Sequence, residues 1–485
     1  MELMIPLKSH SGEPLYEQIY RYIKSEIKRG NLLSGTRLPS TRVLAEHLKV
    51  SRSTTQMAYE QLLSEGYIEA VPCRGYFVCG LDGLVEVVQE PPGVQDEIRD
   101  SRTSSWKVDF SPRGIDLDSF PFNTWRKISR NTLVDDNKEL FLPGPAQGDL
   151  ELREAVRSYL HSARGVNCRA EQIVVGAGNE YLLMLLYQLL GGQRVIAMEN
   201  PTYRQAYRIF DSLGCRVAPV EMDSGGMQIG QLKESGADIA YIMPSHQYPM
   251  GIVMPVRRRQ ELLGWAYEKE GRYLIEDDYD SEFRYKGKPI PALQGMDRNG
   301  RVIYIGTFSQ SIAPAIRISF MVLPIDLCRV YQERAGFYAS TVSRIDQRVL
   351  YQFLSEGHYE RHLNRMRAVY KAKHDALMAA LKPLEGQFDI GGEYAGLHVL
   401  LTSREGLTEE DLIERGKALG VRVYGLSTYF IRPGSREQAG TVLLGYANLS
   451  VEDIKTGVRL LKEAWKSDKI IEKAAEEGNA FEPQI

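Results

Sequence analysis

Hydrophobic positions in the first eighty residues follow helical stripes and then switch to strand spacing. Leu15, Ile19, Ile23 and Ile27 recur every four residues, which defines one face of a helix closed by Gly30. After the turn Ser34-Gly35-Thr36-Arg37-Leu38-Pro39, Ser40 suits the N-cap of a short helix running to Leu48. Ser51 caps a third helix that carries Ala58, Leu62 and Leu63 and ends at Gly66. Two short alternating runs follow, Tyr67 to Val71 and Tyr76 to Cys79, joined by Pro72-Cys73-Arg74-Gly75, a hairpin signal. Three helices and a hairpin over residues 1–80 make the plan of a winged helix-turn-helix.

Residues 81–107 break this texture. Pro91-Pro92-Gly93 lies in an acidic, polar stretch with little periodicity, the composition of an extended, flexible linker. From Val108 onward short apolar runs alternate with helical patterns. Ile173-Val174-Val175, Arg194 to Met198, Ile239 to Ile242, Tyr273-Leu274-Ile275 and Val302 to Ile305 read as strands of a mostly parallel sheet buried on both faces. The pattern predicts an α/β domain over 108–466, its large part at about 108–330 and its small part at about 331–466. Residues 467–485 read as a polar tail.

Composition narrows the class without naming a function. A net charge of −3 does not call for nucleic acid, but residues 1–80 carry +2 and the rest −5. No apolar run is long enough to span a bilayer. Met1-Glu2-Leu3-Met4-Ile5-Pro6 lacks the basic and apolar regions of a signal peptide, so a cytoplasmic protein is expected. Cys73, Cys79, Cys168, Cys215 and Cys328 are scattered with no C-x-x-C spacing, which favours reduced thiols over a disulfide frame or a zinc site.

The third helix opens with hydroxyl residues and an arginine, a composition suited to a helix N-terminus in the major groove. Arg52 is placed to read a guanine edge, with Ser51, Ser53 and Thr54 on phosphates or bases. Arg37, Ser40 and Arg42 cluster around the start of the second helix, where phosphate contacts set register, and Arg74-Gly75 at the wing tip suits the minor groove. The order Leu38-Pro39-Ser40-Thr41-Arg42, Val50-Ser51-Arg52-Ser53-Thr54, Leu63-Ser64-Glu65-Gly66-Tyr67-Ile68 and Arg74-Gly75-Tyr76-Phe77-Val78 resembles the winged-helix domain of GntR-family regulators.

Five motifs in the second part carry chemistry. Val175-Gly176-Ala177-Gly178-Asn179-Glu180 is a glycine-rich turn opening a helix, whose free N–H groups suit a phosphate. The others are Glu199-Asn200-Pro201-Thr202-Tyr203, Pro244-Ser245-His246-Gln247-Tyr248-Pro249-Met250-Gly251, the acidic Glu276-Asp277-Asp278-Tyr279-Asp280, and Gly306-Thr307-Phe308-Ser309-Gln310-Ser311 followed by Arg317. Together with the head they resemble the MocR/GabR subfamily of GntR regulators, in which a winged helix is fused to a fold-type-I aminotransferase-like domain. The resemblance implies pyridoxal 5'-phosphate in the second domain, held by residues at matching positions. Tyr203 would stack on the ring, His246 lie near it, Asp277 pair with the pyridine nitrogen and Tyr279 reach the 3-oxygen. Gly178, Asn179, Thr307, Ser309 and Arg317 would hold the phosphate.

One position departs. Gln310 stands where the resemblance puts the Schiff-base lysine, and a carboxamide nitrogen, its lone pair delocalised, is no nucleophile. Lys286 and Lys288 are the nearest lysines in sequence but sit in a separate loop. No catalytic residue is therefore assigned. Three readings stand: a regulator that binds the cofactor or its amino-compound adduct non-covalently, a cofactor-free regulator using the domain as a dimerisation scaffold or for another ligand, and a residual aminotransferase. The resemblance further implies a homodimer on double-stranded operator DNA, an amino-compound effector and no metal, His358 and His362 falling in a helix common to the subfamily. Arg432 or Arg436 is the expected partner of an effector carboxylate.

Overall fold

The computed structural model describes residues 3, 5–7, 13–80, 106–285, 290–393, 395–432 and 440–466. Most of the expected linker, the tail, Lys286, Lys288 and Arg436 lie outside these residues. The chain divides into two compact units, Met1–Thr103 and Ser104–Ile485.

The first unit holds α1 (Leu15–Lys28), α2 (Thr41–Leu48), α3 (Arg52–Ser64) and the hairpin β1 (Ile68–Val71) and β2 (Gly75–Val78). Ile19, Ile23 and Ile27 of α1 meet Leu44, Ala58, Leu62, Ile68 and Val78 in one core. Ser40 Oγ accepts the Val43 N–H at 3.3 Å and Ser51 Oγ the Thr54 N–H at 3.2 Å, the two caps that the sequence predicts. The Thr55 hydroxyl donates to the Thr41 carbonyl and Tyr59 to the Pro39 carbonyl, each at 2.9 Å, which fixes α3 against the start of α2. Strands β1 and β2 are antiparallel, with Cys73 (φ 60°) and Gly75 (φ 107°) making the tight turn.

The second unit begins at β3 (Val108–Asp109), followed by α4 (Phe122–Thr132), α5 (Leu150–Arg164) and α6 (Asn179–Leu190). Eight strands form its main sheet: β4 (Ile173–Gly176), β5 (Val195–Asn200), β6 (Arg216–Asp223), β7 (Gly226–Met227), β8 (Ile239–Ile242), β9 (Tyr273–Asp278), β10 (Val302–Thr307) and β11 (Ser319–Val322). Their order is β4-β11-β10-β9-β8-β5-β6-β7. Pairing from β10 through β9, β8 and β5 to β6 is parallel, and β11 runs antiparallel to both its neighbours. Strands β4 and β8 to β11 are buried nearly throughout, because helices cover both faces. A second sheet joins β12 (Phe388–Gly391), β13 (His398–Ser403), β15 (Tyr424–Gly425) and β16 (Thr441–Gly445) in the order β12-β13-β16-β15, while β14 (Val421–Arg422) pairs with β3.

Packing crosses the expected division near residue 330 in both directions. Val349, Leu350 and Phe353 of the helix Arg344–Ser355 pack with Ile173, Val175 and Phe320 of the main sheet. Conversely Val108 and Phe110 pack with Leu444, Leu461 and Trp465, so the start of the unit belongs to the small part. Both assignments rest on contacts distant in sequence, which periodicity cannot supply.

Candidate functional site

The C-terminal ends of parallel strands are where open α/β sheets bind ligands. Here they converge on a cavity of about 280 Å³ lined by residues including Asn179, Tyr203, Asp277, Tyr279, Thr307, Ser309, Gln310 and Arg317. Asp277 is the penultimate residue of β9, Thr307 ends β10, and Asn179 begins α6 directly after the β4 turn. The sequence motifs, spread over more than a hundred residues of chain, are thus brought together by strand order.

A buried polar scaffold behind the cavity fixes the end of β9. Arg164 and Asp278 form an ion pair of 2.8 Å with both side chains almost fully buried, and Tyr304 donates to Asp278 at 2.5 Å. Arg164 also donates to Ser245 Oγ at 2.6 Å. Glu276 accepts the Leu293 and Gln294 N–H groups at 2.8 Å each. With its neighbours held this way, Asp277 is turned the other way, toward the cavity. One of its oxygens accepts the Tyr241 hydroxyl, while Oδ1 has no partner among the described residues. Burial pushes the Asp277 carboxyl up to about 7. A protonated pyridine nitrogen, were one bound here, would supply the donor that this oxygen lacks.

At the other side of the cavity, Gly178 has φ 92°, and a Cβ there would lie 2.2 Å from Arg317 Nη2. Only glycine lets the guanidinium cross the N-terminus of α6 this closely. Arg317 donates to Glu180 Oε2 at 2.6 Å and to the Ala177 carbonyl at 3.2 Å. Thr307 and Ser309 stand beside it, their hydroxyls 3.0 Å apart. Asn179 Oδ1 and Gln310 Oε1 are buried with no hydrogen-bond partner. A cationic fork, hydroxyls and helix N–H groups form a cradle for a phosphate, and the residues present fit a phosphorylated pyridine. No lysine lines the cavity among the described residues.

Two expected residues stand elsewhere. His246 is buried and is not part of the cavity lining; its Nδ1 is 2.9 Å from both Asp280 Oδ2 and the hydroxyl of Tyr279, which does line the cavity. Arg432 is exposed and is not part of the cavity lining; its carbonyl accepts from Asn200 at 3.0 Å. The lining cation that the motifs did not reveal is Arg113, in Pro112-Arg113-Gly114. Its stretch carries no periodic signal, and it follows directly on β3, which pairs with β14.

On the head, Arg52 and Ser53 are exposed at the start of α3. The Ser51 hydroxyl already serves its own helix, 2.7 Å from Ser53 Oγ and from Thr54 Oγ1. Arg42 is exposed and pairs with Glu46 at 3.1 Å. Arg37 bridges to Phe77 of β2, so it stands with Arg74 and Gly75 at the wing and not on α2.

The profile of the family described as bacterial regulatory proteins of the gntR family matches residues 15–78. That of aminotransferase class I and II matches residues 116–428. The Bacillus subtilis HTH-type transcriptional regulator YdeL is 40% identical over 455 residues, covering 93% of this chain and 97% of the relative. The probable rhizopine catabolism regulatory protein MocR of Rhizobium meliloti is 31% identical, covering 95% and 96%. Among solved structures, the multiple substrate aminotransferase of Thermococcus profundus superposes with a TM-score of 0.67 at 26% identity, covering 77% of this chain and 93% of that one. The α-aminoadipate aminotransferase LysN of Thermus thermophilus, complexed with N-(5'-phosphopyridoxyl)-L-leucine, gives 0.66 at 25% identity, covering 76% and 93%. No described helix is long and apolar enough to cross a membrane.

Proposed function

Because the chain belongs to the GntR-type HTH transcriptional regulators that carry an aminotransferase class I and II domain, we propose that this domain binds pyridoxal 5'-phosphate, or its adduct with an amino compound, without a covalent bond to the protein. The observation that carries the reading is the cavity itself: Asp277, Tyr203 and Arg317 line it together with Gln310, and no described lysine does. When bound, the cofactor supplies an electron-withdrawing pyridinium ring. Asp277 would hold the ring nitrogen protonated, Tyr203 cover a ring face, Tyr279 meet the 3-oxygen, and Arg317 with Thr307, Ser309 and the Gly178–Asn179 turn take the phosphate. Gln310, at the Schiff-base lysine position, accepts or donates hydrogen bonds but neither traps an aldehyde nor shuttles a proton. The domain then senses a ligand and does not turn it over.

The head reads operator DNA through Arg52 and the hydroxyls around it, in the cytoplasm. Two heads on repeated half-sites require a dimer. Phe141, Leu142 and Phe337 support one, being 69%, 63% and 77% exposed. They lie on two segments that Arg344 joins, by donating to the Glu139 carbonyl at 2.5 Å and the Leu142 carbonyl at 3.4 Å. Ligand control of DNA binding needs a coupling of about 1–3 kcal/mol between cavity and heads.

The test is a titration of the full chain with pyridoxal 5'-phosphate followed by absorbance, with a borohydride-reduced sample weighed by mass spectrometry. Saturable binding with unchanged protein mass is expected. Absence of binding leaves a cofactor-free scaffold, and a stoichiometric adduct on a lysine removes the non-covalent reading.

A further inference from the structure

We propose that Arg113 anchors the carboxylate of an amino-acid ligand, which makes this cavity a receptor for amino carboxylates and not for simple amines. The inference rests on the cofactor reading above and deepens it.

Two cations line the cavity among the described residues, Arg113 and Arg317. Arg317 is committed to the helix N-terminus and to Glu180 at 2.6 Å. Arg113 has no carboxylate partner among the described residues, although it lines the same cavity as Glu180, Asp277 and Asp280. With Arg317 assigned to the phosphate, Arg113 is the remaining lining guanidinium among the described residues to attract a second anion. Arg113 lies beside Tyr248, whose hydroxyl burial pushes well above its ordinary value while Arg113 pulls the opposite way. Tyr248 in turn packs edge-on to Tyr203 at 6.1 Å and to Tyr279 at 5.7 Å, the side chains assigned to the ring. The cation therefore borders the ring subsite and is distinct from the Arg317 phosphate cradle.

Its backbone is held on a pedestal. The Phe110 N–H donates to the Arg422 carbonyl at 3.1 Å, and Gly445 donates to the Phe110 carbonyl at 2.9 Å. A Cβ on Gly445 would lie 2.1 Å from the Ser111 carbonyl oxygen, and one on Gly114 would lie 2.4 Å from Asn448 Oδ1. Both glycines are needed for the chain to pass this close to the small part. Arg113 is thus presented by the small part, whereas Arg317 and Asp277 belong to the large part. A ligand that holds both arginines ties the two parts together; an amine without a carboxylate touches one alone. That difference is what a sensor requires.

The test compares, on the full chain, a reduced phosphopyridoxyl–leucine conjugate with its decarboxylated counterpart by calorimetric titration. Pyridoxamine 5'-phosphate is titrated alongside. The native chain is expected to prefer the carboxylate-bearing conjugate about 10- to 100-fold, the range for a charge-assisted pair. In Arg113→Gln the preference should collapse toward unity, and in Arg113→Lys return in part; thermal unfolding of each variant checks the fold. An undiminished preference in Arg113→Gln, or none in the native chain, overturns the proposal while pyridoxamine 5'-phosphate binding keeps the cofactor reading intact. Failure of the native chain to bind pyridoxamine 5'-phosphate or either conjugate overturns both.

Discussion

Arg317 Nη2 lies 2.6 Å from Glu180 Oε2, so the cation of the phosphate cradle already faces an anion belonging to the protein. Burial raises the Glu180 carboxyl, yet the bond from Arg317 leaves it below its ordinary value. An incoming phosphate competes with this carboxylate for one guanidinium. Glu180→Gln is therefore expected to tighten binding of pyridoxamine 5'-phosphate about 2- to 5-fold, the scale of a half-exposed ion pair. Calorimetric titration of native and variant chains reads this directly. Weaker binding in the variant would mean that Glu180 assists the ligand.

Placing an amine at position 310 is expected to give covalent capture. Gln310→Lys should gain the mass of one reduced cofactor per chain after borohydride treatment, where the native chain gains none. A variant that binds pyridoxal 5'-phosphate but stays unmodified would show that side chain 310 does not face the aldehyde.

Four carboxyls in the large part carry protons unusually late. Burial pushes Glu199 up to about 8 and Glu276, Asp277 and Glu282 up to about 7. In the unfolded chain each loses its proton at about pH 4, so between about pH 4 and 7 the folded state binds more protons. Stability of the ligand-free protein is fully present below that window and declines as pH rises through it. The thermal midpoint should fall by about 3–10 °C from about pH 5.5 to 8. Asp277→Asn removes one contributor and should flatten the slope; a slope that steepens, or is unchanged in the variant, contradicts the assignment.

On the head, Arg52→Ala is expected to cost operator binding about 1–3 kcal/mol, with loss of specificity for one base pair. Ser51→Ala acts differently, because Ser51 Oγ accepts the Thr54 N–H at 3.2 Å. It should destabilise the head by about 1 kcal/mol. Gel-shift titration and thermal unfolding separate the two effects. Unchanged affinity in Arg52→Ala would remove that residue from the base contacts.

What the sequence made legible is local. The caps at Ser40 and Ser51, the hairpin, and the strands begun by Tyr273-Leu274-Ile275 and Val302 to Ile305 follow from spacing and turn chemistry, and the structure forms all of them. What it hid is non-local. His246 lies in a motif with Tyr248 of the cavity lining, but is itself outside that lining and contacts Asp280 and Tyr279, which belong to it. Arg113 lines the cavity from an aperiodic stretch that follows directly on β3, which pairs with β14. The packing of the helix Arg344–Ser355 on the main sheet was hidden for the same reason: an amphipathic helix announces an apolar face but not which core that face meets.

The pairing of Val108 with Val421 sets a constraint on how the protein is made. Synthesis proceeds from the N-terminus, so Val108 and Phe110 leave the ribosome with nearly the whole domain still to come. Their partners, including Leu444, Leu461 and Trp465, are translated last. The main sheet can close on nascent chain alone, but the small part is completed only around release. The loop that carries Arg113 therefore acquires its fixed position at the end of biosynthesis, and a chain cut short before residue 421 would carry the cavity's strands without this rim.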